Sequence, residues 1–342
     1  MSANIETFDL PEDASRQYID ARQTYLAFEQ AQAKLQEYRG GMIWREQKGT
    51  DYLVRTSTRG SQAGLGARTP DTQAIYDKFT TGKTRAEGMV KHLRDSLERH
   101  RRMNKALRVG RTPDMLIDIL NGLKRAGLHD KFVVVGTNAL YAYETTAGAR
   151  VEAGQLATRD FDLLWDNRSK LKLAAREGPL ADGMLGFLRR IDGSFTLRED
   201  QKYTAVNKEG YEVDILRRMG AGSDKDPARL SAVDDDFWAV KAKNADWLLS
   251  APKFSEIVVG TNGRMARMVT IDPRAFVLFK LWMTEQKDRE YAKRVRDASQ
   301  ARVVIGLINE RLPQLGFADI HVFPGDVAGL VLTDAEGARL AR

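Results

Sequence analysis

Cysteine is absent from the 342 residues. That excludes disulfides, thiolate zinc sites, iron–sulfur clusters and a cysteine nucleophile. Histidine is scarce: His92, His100, His129 and His321 are the four, and no two stand at the usual spacing of metal ligands. A histidine-based zinc enzyme is therefore not expected. Long apolar runs are missing too. No stretch approaches the roughly 18 consecutive apolar residues that a membrane span needs. The opening MSANIETFDLPEDASRQ has neither the basic head nor the apolar run of a secretory signal. The expectation is a cytoplasmic protein with no membrane association. Charge is not extreme: 54 Lys and Arg stand against 47 Asp and Glu, a net +7. That permits an anionic partner without demanding one. The 42% hydrophobic and 30% charged residues are ordinary for a soluble chain, and the length predicts two or three domains.

Residues 12–38 carry Tyr18, Ala21, Tyr25, Phe28 and Leu35 three or four apart, the period of one helix face. Gly40-Gly41 ends that helix. MIWREQKGTDYLVR then predicts a β-hairpin turning at Lys48-Gly49. The stretch STRGSQAGLGARTP has loop composition. Residues 71–108 predict a second long helix, broken near Gly82 and paired antiparallel with the first. From Lys83 to Arg111 this segment holds ten Lys and Arg against Glu87, Asp95 and Glu98. The excess suits a polyanion backbone, and a solvated helix face accounts for the same residues.

A new unit begins at Thr112-Pro113, where Thr is a good N-cap and Pro a good first helical residue. After that helix, Val133-Val134-Val135 reads as a buried strand, Gly136-Thr137 as a tight turn, and Asn138–Glu144 as the start of a helix. TRDFDLLWD (158–166) is a strand. A helix over 181–191 and three short strands lead to residue 216. Residues 217–236 are a polar connection. FSEIVVGTNGRMARMVTI predicts a hairpin around Asn262-Gly263. Asp272-Pro273 then starts a helix, and a further helix runs from about 289 to 312. VVGTN occurs at 134–138 and again at 258–262, and the second copy reads as part of the hairpin.

Three features carry chemistry, in order: the strand–Gly136-Thr137–helix turn, Asp160-Phe161-Asp162 opening a strand, and Val213-Asp214-Ile215 inside a later strand. Alternate residues of a strand share a face, so Asp160 and Asp162 point the same way. Asp214 on a neighbouring strand would complete an acidic cluster. Such clusters hold Mg²⁺ together with substrate phosphates, and paired ions stabilise both oxygens of an in-line phosphoryl displacement. Backbone N–H groups at a helix start suit a triphosphate.

This ordered set resembles the nucleotidyltransferase-fold superfamily, the DNA polymerase β-like enzymes. The resemblance covers roughly residues 112–216, with the helices after 272 as a continuation. It implies that Gly136, Thr137 and Asn138 contact the triphosphate. Asp160, Asp162 and Asp214 would bind two Mg²⁺ or Mn²⁺ ions, with Asp214 also activating the attacking hydroxyl. Lys280, in AFVLFKLWM, stands where members often place a phosphate-facing cation; a Lys snorkelling from a half-buried face is the other reading. Thr137 stands where Ser or Gly is usual, and the gap of 24 residues from Gly136 to Asp160 is longer than in many polymerase-like members. The insertion TTAGARVEAGQLAT is expected to be a loop beside the site. The pattern is most similar to bacterial proteins of the abortive-infection toxin kind and an uncharacterised family near them. An antitoxin or a second copy of the chain is the protein partner this implies.

The expected fold class is α/β (α+β). A basic helical and hairpin region (1–110) precedes a mixed-sheet nucleotidyltransferase core (111–270) and a helical C-terminal region (271–342). The expected activity is metal-dependent transfer of an NMP from an NTP to an acceptor hydroxyl, with pyrophosphate release. RNA, and within it a tRNA 3′ end, is the expected acceptor, bound through residues 83–111. Nucleotidylation of protein side chains and a catalytically silent NTP- or nucleic-acid-binding protein are the alternatives. Other residues have competing readings. Arg159, next to the carboxylates, could neutralise phosphate, but it should point away from the two aspartates, so a structural salt bridge is at least as good a reading. Lys241 and Lys243 line a cleft or are solvated. Trp44, Tyr52 and Trp282 are better core residues than base platforms. Gly64-Leu65-Gly66, near Arg59 and Arg68, lacks the strand–helix frame of a phosphate loop. Asp234-Asp235-Asp236 reads as a turn or a helix cap.

Overall fold

A computed structural model describes residues 7–166, 182–217, 228–229, 236–242 and 245–317. Asp234, Asp235, Lys243, His321, most of the polar connection 217–236 and the tail from 318 lie outside the described residues. The chain divides into two compact units, residues 13–109 and residues 1–12 with 110–342.

The first elements are β1 (Thr7–Asp9), α1 (Glu12–Gln36), β2 (Gly41–Gln47), β3 (Thr50–Thr56), β4 (Gln62–Ala67) and α2 (Pro70–Ala106). Within 13–109, α1 and α2 run antiparallel. Gln17 near the start of α1 donates to Asn104 near the end of α2 at 2.8 Å, while Tyr38 just past α1 meets the Phe79 ring at 5.6 Å. The β2–β3 hairpin turns at Lys48-Gly49, both at positive φ, as a two-residue hairpin turn requires. Two expectations fail here. Gly82 does not break α2, which is continuous. A Cβ at Gly82 would lie 2.5 Å from the Tyr38 hydroxyl, so this glycine permits a close approach. The stretch expected as loop contains β4, paired with β3 through backbone hydrogen bonds. Its side chains are mostly exposed, so no burial pattern betrays it. Gly64-Leu65-Gly66 is thus an irregular strand rather than a phosphate loop.

The second unit continues with α3 (Asp114–Arg125), β5 (Phe132–Val135), α4 (Leu140–Ala147), β6 (Ala149–Val151), β7 (Asp160–Trp165) and α5 (Gly183–Arg189). Then come β8 (Thr196–Leu197), β9 (Thr204–Val206), β10 (Glu212–Arg217), β11 (Ala228–Arg229), β12 (Trp238–Lys241) and α6 (Ala245–Ser250). β13 (Lys253–Val259), β14 (Met265–Ile271), α7 (Pro273–Thr284) and α8 (Tyr291–Arg311) complete it. Among the described residues nine strands form one sheet, in the order β11-β12-β10-β7-β5-β14-β13. β9, backed by β8, pairs with the Glu212–Asp214 half of β10, and β12 with its Leu216–Arg217 half. The sheet is mixed: β7 is antiparallel to β5 and parallel to β10. The α/β class and the mixed core sheet are as expected. β5 is buried along its whole length, which is why it reads as four apolar residues without alternation.

Asp272 caps α7 by accepting the Arg274 N–H at 2.8 Å, with Pro273 first in the helix. Thr112 does not cap α3. It bridges Gly260 as extended chain, and Asp114 accepts from the Asn262 backbone instead, which ties α3 to the β13–β14 turn. The insertion after α4 is not a plain loop. Gly148 closes α4 at positive φ, β6 follows, and β6 pairs antiparallel with β1 from the far N-terminal end. That pairing spans too much sequence for local patterning to reveal.

Tyr143 is fully buried, meets Phe254 and Phe276 edge-on, and donates to the Ile271 carbonyl at 2.8 Å. Tyr143→Phe leaves that carbonyl without its partner and should cost about 1–2 kcal/mol. A thermal melt should read this as a fall of roughly 2–6 °C.

Candidate active site

β7 enters the sheet with Asp160. Phe161 turns into the core, where it is fully buried, so Asp160 and Asp162 face the opposite side. The parallel register sets Asp214 directly beside Asp162, and Glu212 beside Asp160. On the other flank Val135 pairs with Asp162, which brings the following residue, Gly136, against the Asp162 carboxylate. Gly136 has φ +69°, and a Cβ there would stand 2.4 Å from Asp162 Oδ2. Only glycine meets both demands. The structure therefore brings Gly136, Asp160, Asp162 and Asp214 together.

Glu212 shares the acidic face but is paired with Arg198 at 3.2 Å. Asp214 accepts the Thr204 hydroxyl on Oδ1 at 2.5 Å. Asp160 and Asp162 hold no ion pair among the described residues. Burial, with Asp214 as the next cause and Asp160 a smaller one, pushes the Asp162 carboxyl up to about 7. Burial also raises Asp214, against the opposing Thr204 hydrogen bond. Among the described residues no set of three His, Asp or Glu is already closed around one cation position. The donor set nevertheless fits a hard divalent cation: Asp160, Asp162 and Asp214 present carboxylate oxygens on one face of two adjacent strands.

Asn138 is buried, and its amide donates to the Asp160 carbonyl at 2.6 Å, so it anchors the start of β7 to the turn. Thr137 is half-buried and accepts from Gln300 Nε2 at 3.0 Å. Lys280 does not snorkel. It is buried, and its ammonium bonds Asp297 at 2.7 Å. Arg289 binds the other oxygen of Asp297 at 2.5 Å. Lys280 and Arg289 both act on Asp162 and favour its ionised form. Arg159 turns away and donates to the Glu209 carbonyl at 2.7 Å; the salt bridge expected of it is not formed among the described residues. Asp236 accepts the Leu185 N–H at the start of α5, the helix-cap reading. Trp44 packs on Tyr76 and Trp282 on Phe279. Tyr52 is partly exposed on β3, and Lys241 lies in β12.

Residues 114–321 match a family model described as nucleotidyltransferase. This chain belongs to that nucleotidyltransferase family. No curated protein and no solved structure matches it. Membership assigns the chain nucleotidyl transfer with an NTP substrate as its activity class, in a family that generally uses divalent metals. Among the described residues no helix is long and apolar enough to cross a membrane. Sequence reading of this nucleotidyltransferase missed Arg289, Asp297, Gln300 and Thr204. Only their spacing on α8 (Asp297 and Gln300, both polar on a helix with an apolar core face) held a signal.

A raised carboxyl works against the fold once ionised. Its stabilising contribution is present below pH 3.8 and is lost as pH rises toward 7. Metal-free protein should therefore lose stability as pH rises from about 4 to about 7 and change little above that. Asp162→Asn should melt about 2–4 °C higher than the parent at pH 8.5. A parent with a flat pH–melting profile, equal to the variant's, would contradict this.

Proposed function

We propose that this nucleotidyltransferase moves an NMP from an NTP to an acceptor hydroxyl on RNA, with Asp160, Asp162 and Asp214 as its catalytic carboxylates. The observation that carries the reading is the register of Asp162 beside Asp214 and against the Gly136-Thr137 turn. Gly136 and Thr137 would receive the triphosphate, with Lys280 as a nearby cation. Asp160, Asp162 and Asp214 would hold Mg²⁺ or Mn²⁺, which supplies charge neutralisation for the phosphates when bound. The acceptor oxygen attacks the α-phosphorus, the bond to the β-phosphate oxygen breaks, and pyrophosphate leaves. Asp214 takes the hydroxyl proton. Its raised proton affinity and its one oxygen left free by Thr204 suit a general base.

RNA is favoured by α2. Arg85, Lys91, Arg94, Arg99 and Lys105 are exposed and hold no ion pair among the described residues. Arg101 and Arg102 share Glu98, and Lys83 reaches the Gly40 carbonyl. Arg111 drops out of the basic set, because it is bonded to Glu144 and the Val151 carbonyl. Cations of this kind track a phosphate backbone without reading bases. The tRNA 3′ end and an antitoxin partner extend the same reading through the toxin-type resemblance.

The test is incubation with each α-labelled NTP, Mg²⁺ or Mn²⁺ and cell extract, following label in RNA and in protein. Label should enter RNA and be lost in Asp162→Ala. Label in protein alone would move the acceptor to a side chain; no label and no pyrophosphate with any NTP would overturn the transferase assignment of these residues. In direct RNA binding, Lys91→Ala/Arg94→Ala should weaken affinity for all sequences alike and flatten the salt dependence by about 1.4–1.8 log units per log unit of salt. An unchanged salt slope would remove α2 from the RNA path.

A further inference from the structure

We propose that Gln300 is a positioning residue for Thr137, fixing the Thr137 hydroxyl as a hydrogen-bond donor to a nucleotide phosphate oxygen. The inference rests on the nucleotidyl-transfer reading of the Gly136-Thr137 turn and adds a residue that the motif does not contain.

Gln300 is fully buried on α8. Its Nε2 donates twice: to Thr137 Oγ1 at 3.0 Å and to the Gln155 backbone carbonyl at 2.8 Å. A carbonyl oxygen only accepts, so the nitrogen must face Gln155. The flipped amide would set two oxygens 2.8 Å apart. With the amide so fixed, Thr137 Oγ1 is the acceptor from Gln300. Its own proton must point elsewhere, and it donates to nothing among the described residues. Thr137 is only half-buried and follows Gly136, which touches the Asp162 carboxylate. A phosphate oxygen is an acceptor without protons at neutral pH, so a hydroxyl set as donor is its complement.

Two further observations support the assignment. Gln300 Oε1 is buried with no partner among the described residues. An orphaned buried acceptor is unfavourable, and it persists here because both N–H groups are committed on the other side. The Gln155 carbonyl is itself held in place by α8. Gln155 Nε2 donates to Ser299 Oγ at 2.8 Å, and Arg296 donates to the Ala157 carbonyl at 2.8 Å. The segment between the turn and Asp160 is thus clamped so that Gln300 cannot rotate.

The experiment is a double-mutant cycle on the full chain with Gln300→Met and Thr137→Val, both close in volume to the residues replaced. Wild-type NTP turnover is read first by pyrophosphate release. Each single variant should lower kcat/KM about tenfold, the worth of one hydrogen bond to a charged group, with the loss mainly in KM. The double variant should lose no more than Thr137→Val alone, because Gln300 acts through Thr137. A Gln300→Met enzyme with a lower melting point and an unchanged KM would show a packing role only and overturn the proposal, as would losses that multiply. Should Gln300→Met not fold, the wild-type Gln300 side-chain amide is followed by ¹⁵N NMR. It should shift on adding a non-hydrolysable NTP with Mg²⁺, and not in Thr137→Val. No shift in the wild type overturns the inference while leaving an active transferase intact. A wild type that neither binds nor turns over NTP overturns the reading of the site and this inference with it.

Discussion

β7 is hydrogen-bonded along both edges, antiparallel to β5 and parallel to β10, and its register decides what the carboxylate face contains. Because side chains alternate, a slip of one residue would turn Phe161 outward and drive Asp160 and Asp162 into the core. Phe161 and Val213, both fully buried, oppose that slip from neighbouring strands at paired positions. The apolar residues between the acids therefore do as much for the site as the acids. They hold two like charges in adjacent rows against a repulsion that would otherwise part them. The turn at Gly136 follows from the same pairing, since Val135 is the residue opposite Asp162.

The countercharge comes from a different layer. Asp297 on α8 takes Lys280 from α7 and Arg289 from the connection between the two helices. One carboxylate for two cations leaves this largely buried group net positive. That excess is felt by Asp162, whose ionised form both cations favour. Without Asp297, the buried Lys280 and the half-buried Arg289 would both lose their carboxylate partner. Asp297 fixes the geometry of both cations while leaving part of their field for the site. Removing one member of such a buried group strands the others, so its tolerance to truncation is low even if its net worth to stability is small.

Local chemistry in the sequence was enough for the acidic face and for most elements that carry it. Alternation put Asp160 and Asp162 on one side, and the Val133–Val135 run marked β5. Asp272-Pro273 and Asn262-Gly263 marked a helix start and a hairpin turn. What was not legible depends on partners distant in the chain. Thr112 looks like a cap until Gly260 is beside it. Gly82 looks like a break until Tyr38 is against it. β6 has no pattern of its own and exists because β1 pairs with it. β4 is held by backbone pairing, and its exposed side chains encode nothing about it. Lys280 reads equally well as a snorkelling residue, and Asp297, 17 positions on, is what removes that option.

Two oddities of the sequence are joined by the structure. Thr137 stands where the superfamily pattern has Ser or Gly, and the chain from Gly136 to Asp160 is long. A serine hydroxyl rotates among three positions, whereas a β-branched threonine is stiffer about χ1. The long segment supplies the Gln155 carbonyl, which orients the Gln300 amide, which in turn makes Thr137 an acceptor on one side and a donor on the other. Gln155, within this long segment, thus ties the turn to α8. A stiffer side chain then has its one useful orientation enforced from behind. Shortening this segment would be expected to harm the turn before it harms the sheet, since β5, β7 and β10 pair without it.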